Sequence, residues 1–206
     1  MKKKTYHHGH LRNALIESGI RLLNREGIEG FSLRKVAARC GVSSSAPYTH
    51  FKGKDDLLAA METHVNAKLL WHLYPVLRRN AEYSGKDFLL SLSLSYAAFF
   101  LENPHYFSFL FLTGKGRLPL SLSQTLSGRR LPFLRLYQSC CRILSQIGCP
   151  KEQQESRILS YLAALHGLLF FVHSPVFYYD KDWESQLVPI LSPALETLLS
   201  PISPSP

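Results

Sequence analysis

Between Phe31 and Lys54 the chain reads FSLRKVAARCGVSSSAPYTHFKGK, and few folds accept that order of residues. Val36, Ala37 and Cys40 stand at i, i+1 and i+4, one small apolar face of a short helix. Gly41 supplies the backbone freedom of a sharp turn, and Val42 follows as an apolar plug for the corner. Ser43, Ser44 and Ser45 offer three capping hydroxyls for a second helix, on which Tyr48 and Phe51 fall three apart. Pro47 fits only a helix's first turn. With Ser44 as N-cap it takes the third helical position, where the missing N–H has no intrahelical partner to lose. The spacing predicts a second helix of about two turns, from near Ser45 to Phe51. This is the layout of a helix-turn-helix, whose second helix enters the major groove of DNA.

Charge agrees with that layout. Of a formal net +9 over 206 residues, residues 1–60 carry 11 Lys and Arg against 5 Asp and Glu. The remaining residues carry 13 against 10, so the basic excess is concentrated at one end and suits a polyanion such as nucleic acid. Lys2, Lys3 and Lys4 open the chain, but the excess persists through Arg12, Arg21, Arg25, Arg34, Lys35 and Arg39. Cys40, Cys140, Cys141 and Cys149 have no zinc-type spacing, no secretory leader pattern opens the chain, and no apolar run reaches a membrane span of about 20 residues. These features predict a soluble cytoplasmic protein with reduced thiols, without metal, cofactor or membrane partner.

Helical periodicity runs through the rest. A first helix is expected over about Leu11 to Arg25, with Leu11, Leu15, Ser18 and Leu22 on one stripe and Ile16 and Leu23 beside it. Lys54 to Tyr74 reads as a long helix that Pro75 ends or kinks. Leu90 to Ser95 alternates like a strand, LSLSLS, but lies within a longer helical pattern from Asp87 to Glu102 and is read as helix. A short aromatic helix at Tyr106 to Leu112 and a loop over Thr113 to Arg130 follow. Two long helices, Leu131 to Ile147 and Pro150 to His173, are separated at Gly148-Cys149-Pro150. Trp183 to Leu199 is helical but broken by Pro189 and Pro193. The expected fold is all-α: a three-helix helix-turn-helix domain over 1–53, a larger helical bundle over 54–200 for ligand binding and dimerisation, and a disordered tail over 201–206. No βαβ pattern, Gly-rich phosphate loop, HExxH, GxSxG or paired carboxylates appear, so no enzyme is expected.

From about Leu11 to Leu58 the chain resembles the N-terminal domain of the TetR family of transcriptional repressors. The residues that carry the likeness are Glu26-Gly27-Ile28-Glu29-Gly30, Arg34-Lys35-Val36-Ala37, Gly41-Val42-Ser43, then Tyr48, His50, Phe51, Lys54 and Leu57-Leu58. The resemblance implies a homodimer on a pseudo-palindromic double-stranded operator, released by a small, largely apolar effector of unknown identity. It places DNA contacts at Lys4, Ser32, Arg34, Ser44, Ser45, Tyr48, Thr49, His50 and Lys54. Arg34 suits guanine edges or phosphates, and Lys54 a phosphate. Where the family often carries a bulky or strongly polar group, Thr49 stands here, so base readout leans on thymine methyls, water and the basic arm.

In the body, the resemblance implies an effector pocket, for which Tyr96, Phe100, Phe107, Tyr161 and His166 are candidates. The step His166-Gly167 is similar to that of a TetR subgroup with a tryptophan upstream of His-Gly, Leu162 being the nearest equivalent here. A lone histidine on an apolar helix is, equally, a satisfied core residue. The last two long helices are assigned to the two-fold interface, with Leu159, Leu162, Leu169, Leu187 and Leu195 as its residues. Three rivals stay open: a DNA-binding adaptor of the same fold that contacts a protein and takes no effector, an enzyme built on His166 or a cysteine, and a thiol sensor at Cys140 and Cys141.

Overall fold

The computed structural model describes residues 8–79, 85–112, 131–177 and 182–200. Lys4, the expected Thr113–Arg130 loop and the expected tail after residue 200 lie outside them. Every regular element among the described residues is helical, so the all-α expectation holds. In chain order these are α1 (His8–Gly30), α2 (Leu33–Arg39), a 3₁₀ turn (Ala46–Thr49), α3 (Lys54–Arg78), α4 (Gly85–Glu102), α5 (Pro104–Phe107), a π turn (Ser108–Leu112), α6 (Leu131–Gln146), α7 (Lys151–His173) and α8 (Trp183–Leu199).

The chain divides into two compact units, Met1–Ala67 with His105–Arg117, and Lys68–Pro104 with Leu118–Pro206. Helix α3 starts at Lys54, where the second domain is expected to begin, yet its first half belongs to the first unit together with a segment from far along the chain. In the first unit Leu15, Ile16, Ile20 and Leu23 of α1 are fully buried, as are Val36 and Ala37 of α2 and Leu57, Met61 and Val65 of α3. Each such side chain withdrawn from water stabilises by roughly 1.5–3 kcal/mol before chain entropy is charged against it, Ala less. In the second unit α4, α6, α7 and α8 pack pairwise. Their core is Leu92, Tyr96, Phe100, Leu136, Ile158, Leu165, Leu191 and Leu195. The LSLSLS stretch lies inside α4, burying Leu89, Leu92, Ser93, Tyr96 and Ala97 at helical intervals rather than every second residue.

Two helices stop by the same device. Gly41 has φ +67°, its N–H reaches the Ala38 carbonyl at 3.1 Å, and the Val42 N–H reaches the Ala37 carbonyl at 3.1 Å. Gly148 repeats this with φ +78°, bonding Ser145 at 3.1 Å while Cys149 bonds Leu144 at 2.9 Å. Both are Schellman caps, in which a left-handed residue lets two orphan carbonyls find donors.

Pro75 does not end its helix, and Pro189 and Pro193 do not break theirs as expected. Helix α3 continues through Pro75 to Arg78, and α8 runs unbroken through both Pro189 and Pro193. All three prolines are exposed. Carbonyls deprived of an N–H partner on a wet face bond to water, so a proline there need not end the helix. Leu187, Leu191, Leu195 and Leu198 are buried at intervals of four, four and three, and that inward stripe holds α8 together across its two prolines. Helix α7 is long and apolar enough to cross a bilayer by length and composition, which the reading of apolar runs does not reveal. Its Ile158, Tyr161, Leu162, Leu165, Leu168 and Leu169 are buried in the second unit.

Candidate nucleic-acid interface

The second element of the helix-turn-helix is shorter and tighter than its expected two turns. It is one 3₁₀ turn, Ala46–Thr49, with Ser45 in place of Ser44 at the N-cap and Pro47 in its first turn. Bonds run from Ala46 N to Ser43 O at 3.0 Å, Tyr48 N to Ser45 O at 3.1 Å and His50 N to Pro47 O at 3.0 Å, all three-residue steps. Pro47 has no N–H to give, its own side chain is buried, and the chain takes the shorter spacing around it. The turn packs on α2, and Phe51 fixes its exit by burial.

This geometry turns outward most of the residues expected to meet DNA. Arg34, Ser44, Ser45, Tyr48 and Thr49 are exposed, Tyr48 at 60 %, so its ring is presented to solvent rather than packed in the core. Thr49 turns its hydroxyl back to the Ala46 carbonyl at 2.7 Å, leaving its methyl and oxygen lone pairs outward. Ser45 shares a hydrogen bond of 3.0 Å with Ser43. Ser32 caps α2 by accepting from the Lys35 N–H at 3.3 Å, and its own hydroxyl proton is still available to a phosphate. His50 is half-buried, its ring 6.3 Å from that of Phe51. Lys54 gives one of its three protons to the Ile28 carbonyl at 2.8 Å, which fixes the ammonium at the start of α3.

Neighbouring cations are not equivalent. Lys35 is held by Glu26 at 2.9 Å, and Arg25 pairs with the other oxygen of the same carboxylate. Hydrogen bonds from Arg25 and then Lys35 hold the Glu26 carboxyl below its usual range. Arg34 has no carboxylate partner among the described residues. Arg12 lies 5.2 Å above the Phe51 ring, a cation–π contact that sequence spacing could not reveal.

A second group in the first unit also escaped the sequence. Glu17 Oε1 accepts from the Tyr106 hydroxyl at 2.6 Å and lies 2.8 Å from His64 Nε2, while Oε2 lies 4.0 Å from His105 Nε2 and from Arg21. Asn24 donates to the His105 carbonyl at 2.6 Å. Burial first, and then the bond to Glu17, push the Tyr106 phenol well above its ordinary pKa. Tyr106 stands 89 residues from Glu17, so no local pattern announces the pair.

The model of the bacterial regulatory proteins of the tetR family matches residues 15–61, which enclose α2, the Schellman turn and the 3₁₀ turn. Over these residues the chain is similar to the DNA-binding head of that family. Among its relatives, the class A tetracycline repressor of transposon 1721 from Escherichia coli is 33% identical over 84 residues, which cover 41% of this chain and 37% of that one. The class C tetracycline repressor from Escherichia coli is 46% identical over 50 residues, 24% of this chain and 23% of that one. The match thus spans well under half the length of either relative. Solved TetR-family structures extend the likeness of fold over the body. The regulator PfmR from Thermus thermophilus aligns over 89% of this chain and 96% of its own, with a TM-score of 0.58 at 19% identity. A TetR-family regulator from Marinobacter aquaeolei aligns over 90% and 94%, with a TM-score of 0.62 at 15% identity.

The body residues singled out in the sequence are mostly interior. His166 Nδ1 lies 3.0 Å from the Leu162 carbonyl, which can only accept, so Nδ1 carries the proton. Nε2 therefore accepts from the Tyr96 hydroxyl at 3.1 Å, and burial lowers the pKa of the ring. Tyr161 donates to Ser93 at 2.6 Å, and Phe100 is fully buried beside Tyr96. The structure thus brings Tyr96, Phe100 and His166 together with their polar atoms spent on one another or on backbone. Phe107 belongs to the first unit, the other four to the second. Of the residues assigned to the two-fold interface, Leu169 and Leu195 are fully buried and Leu162 and Leu187 are 5 % exposed; only Leu159 is half-buried. A side chain with no accessible surface has none to share with a second copy. The apolar surface that α7 and α8 do present is Phe170, Phe171, Val188 and Ile190.

Proposed function

We propose that this chain is a homodimeric, ligand-responsive transcriptional regulator that represses by occupying a pseudo-palindromic operator and is released by a small effector. The observation that carries the reading is the outward set Arg34, Ser44, Ser45, Tyr48 and Thr49 on two short elements held at a Schellman turn, in a unit of strong positive charge. Arg34 and Lys54 supply phosphate or guanine contacts. The serines, Thr49 and Tyr48 supply short-range contacts to bases and backbone, with Ser32, His50 and Lys4 at the margins. Two such heads would fill successive major grooves about 34 Å apart. Phe170, Phe171, Val188 and Ile190 support a two-fold contact through α7 and α8. Effector and operator then weaken each other's binding by the same factor.

Selection of binding sites from random duplex DNA at a fixed moderate salt tests the reading. A recovered palindrome supports it, and purely unspecific, steeply salt-dependent binding counts against it. One observation favours a second reading, an adaptor that binds DNA and a protein partner without an effector. The polar heads of Tyr96, Tyr161 and His166 are already satisfied within the core. Ligands that shift operator affinity would exclude the adaptor.

A further inference from the structure

In the second unit α3, α4 and α6 enclose an open cleft of about 550 Å³. Tyr74, Leu77 and Arg78 line it from α3, Phe88 from α4, and Arg135 and Arg142 from α6. Arg135 and Arg142 are seven residues apart, two turns along one face, so both guanidinium groups are delivered to the same wall. Arg78 comes from the last turn of α3. Among the described residues no carboxylate lines the cleft, and Arg78 and Arg135 have no ion pair. Arg142 stands 5.6 Å above the Phe88 ring, which places its charge over the apolar part of the lining. Trp71, 79 % exposed, lies nearly parallel to Tyr74 of the lining, with ring centroids 6.1 Å apart.

Arg78 and Arg135 bring like charges to one concavity, and an anion relieves their repulsion while accepting their forked N–H groups. The volume falls within the roughly 300–1,000 Å³ of small-molecule sites, and leucine and aromatic surface would cover an apolar body. We infer that this cleft binds an anionic amphiphile, a carboxylate or phosphate head on an aliphatic or aromatic body. The head sits among Arg78, Arg135 and Arg142, and the body lies along Leu77, Phe88 and Tyr74. That this ligand is the effector rests on the ligand-responsive reading above; that it binds here does not.

The test uses the full chain and four probes of equal tail length, held below their micelle concentrations: dodecanoate, dodecyl phosphate, dodecanol and dodecyltrimethylammonium. Trp71 emission is followed in Trp183→Phe protein, where it is the only tryptophan left of the two, and calorimetry repeats the titrations on the unaltered chain. The expected result is binding of both anions and neither control, the tighter anion identifying the head. Arg78→Gln and Arg135→Gln each weaken it about tenfold or more, the scale of one lost charge-assisted bond. Lys151→Gln, an exposed charge at the start of α7, leaves it unchanged. Dodecanol bound as tightly as the anions, or anions indifferent to both arginine substitutions, would overturn the assignment. Operator affinity is measured in parallel on a selected duplex. Arginine-dependent binding without any change in operator affinity upholds the cleft and removes the effector role.

Discussion

Arg34 and Lys35 are adjacent basic residues on α2, and a protein that binds DNA through this face should use them unequally. The Lys35 ammonium is held 2.9 Å from Glu26, whereas Arg34 is exposed and unpaired with any carboxylate among the described residues. A cation already neutralised by a local carboxylate releases few condensed counterions from DNA; an unpaired one that meets a phosphate releases close to one. Each phosphate contact contributes about 0.9 to the slope of log affinity against log salt. Arg34→Gln should therefore flatten the slope by about 0.9 per head, and Lys35→Gln should leave it nearly unchanged. Between 50 and 200 mM salt this amounts to about 3.5-fold less loss of affinity per head for Arg34→Gln. The assay is fluorescence anisotropy on a labelled duplex of arbitrary sequence at five or six salt concentrations, so it needs no knowledge of the operator. Thermal melts of both variants confirm that α2 has survived. Equal flattening by the two substitutions would refute the claim that the Glu26 pair withholds Lys35.

Substituting the buried Leu169 with Arg should cost more than about 4 kcal/mol in denaturant unfolding, because it forces a charge into the core. Ile190→Arg should keep the fold and weaken self-association in sedimentation; a folded, fully associated Ile190→Arg protein would remove α8 from the interface. The half-buried His166 is held neutral by desolvation, so its depressed pKa contributes stability that is present above the unfolded value near 6.5 and is lost as pH falls below it. The drop in unfolding free energy from pH 7.5 to pH 5.5 should be smaller in His166→Gln than in the unaltered chain, and an equal drop would contradict the assignment. Burial, with Cys141 a lesser cause, pushes the Cys140 thiol up to about 12, so it should resist thiol reagents at pH 8 while the half-buried Cys141 reacts. Rapid labelling of Cys140 in native protein would reopen thiol sensing.

The parts of the fold that were legible in the sequence are those set by nearest neighbours. Gly41-Val42 predicts a sharp stop because only a left-handed residue closes a Schellman cap there. LSLSLS reads as helix because the longer pattern around it has the helical period, and α4 buries its residues at that period. What escaped depends on which side of an element faces water. Pro189 and Pro193 look like breaks until their exposure is known, because a proline's cost turns on whether the deprived carbonyls are wet. Leu169 and Leu195 read equally as core or interface, since an amphipathic stripe does not say whether its cover belongs to the same chain. His166 is similar: its position in the sequence shows a polar group amid leucines, but only the Tyr96 hydroxyl and the Leu162 carbonyl show it already satisfied.

The tie between Glu17 and Tyr106 bears on how this molecule can be cut and rebuilt. Residues 15–61 hold the whole family match, which invites excision of the first 60 or so residues as a free-standing piece. Yet the compact unit includes His105–Arg117, with Tyr106, Phe107 and Phe109 buried. A fragment ending at Gly53 or Ala67 would strip the half-buried Glu17 of its phenol and its second histidine. It would also lose three aromatic side chains from a unit already too small to spare them. Swapping heads between relatives at a single junction near residue 60 meets the same obstacle, because half of the fastening travels with the other piece. The head is contiguous as a motif and discontinuous as a folding unit, so a graft needs two crossovers rather than one.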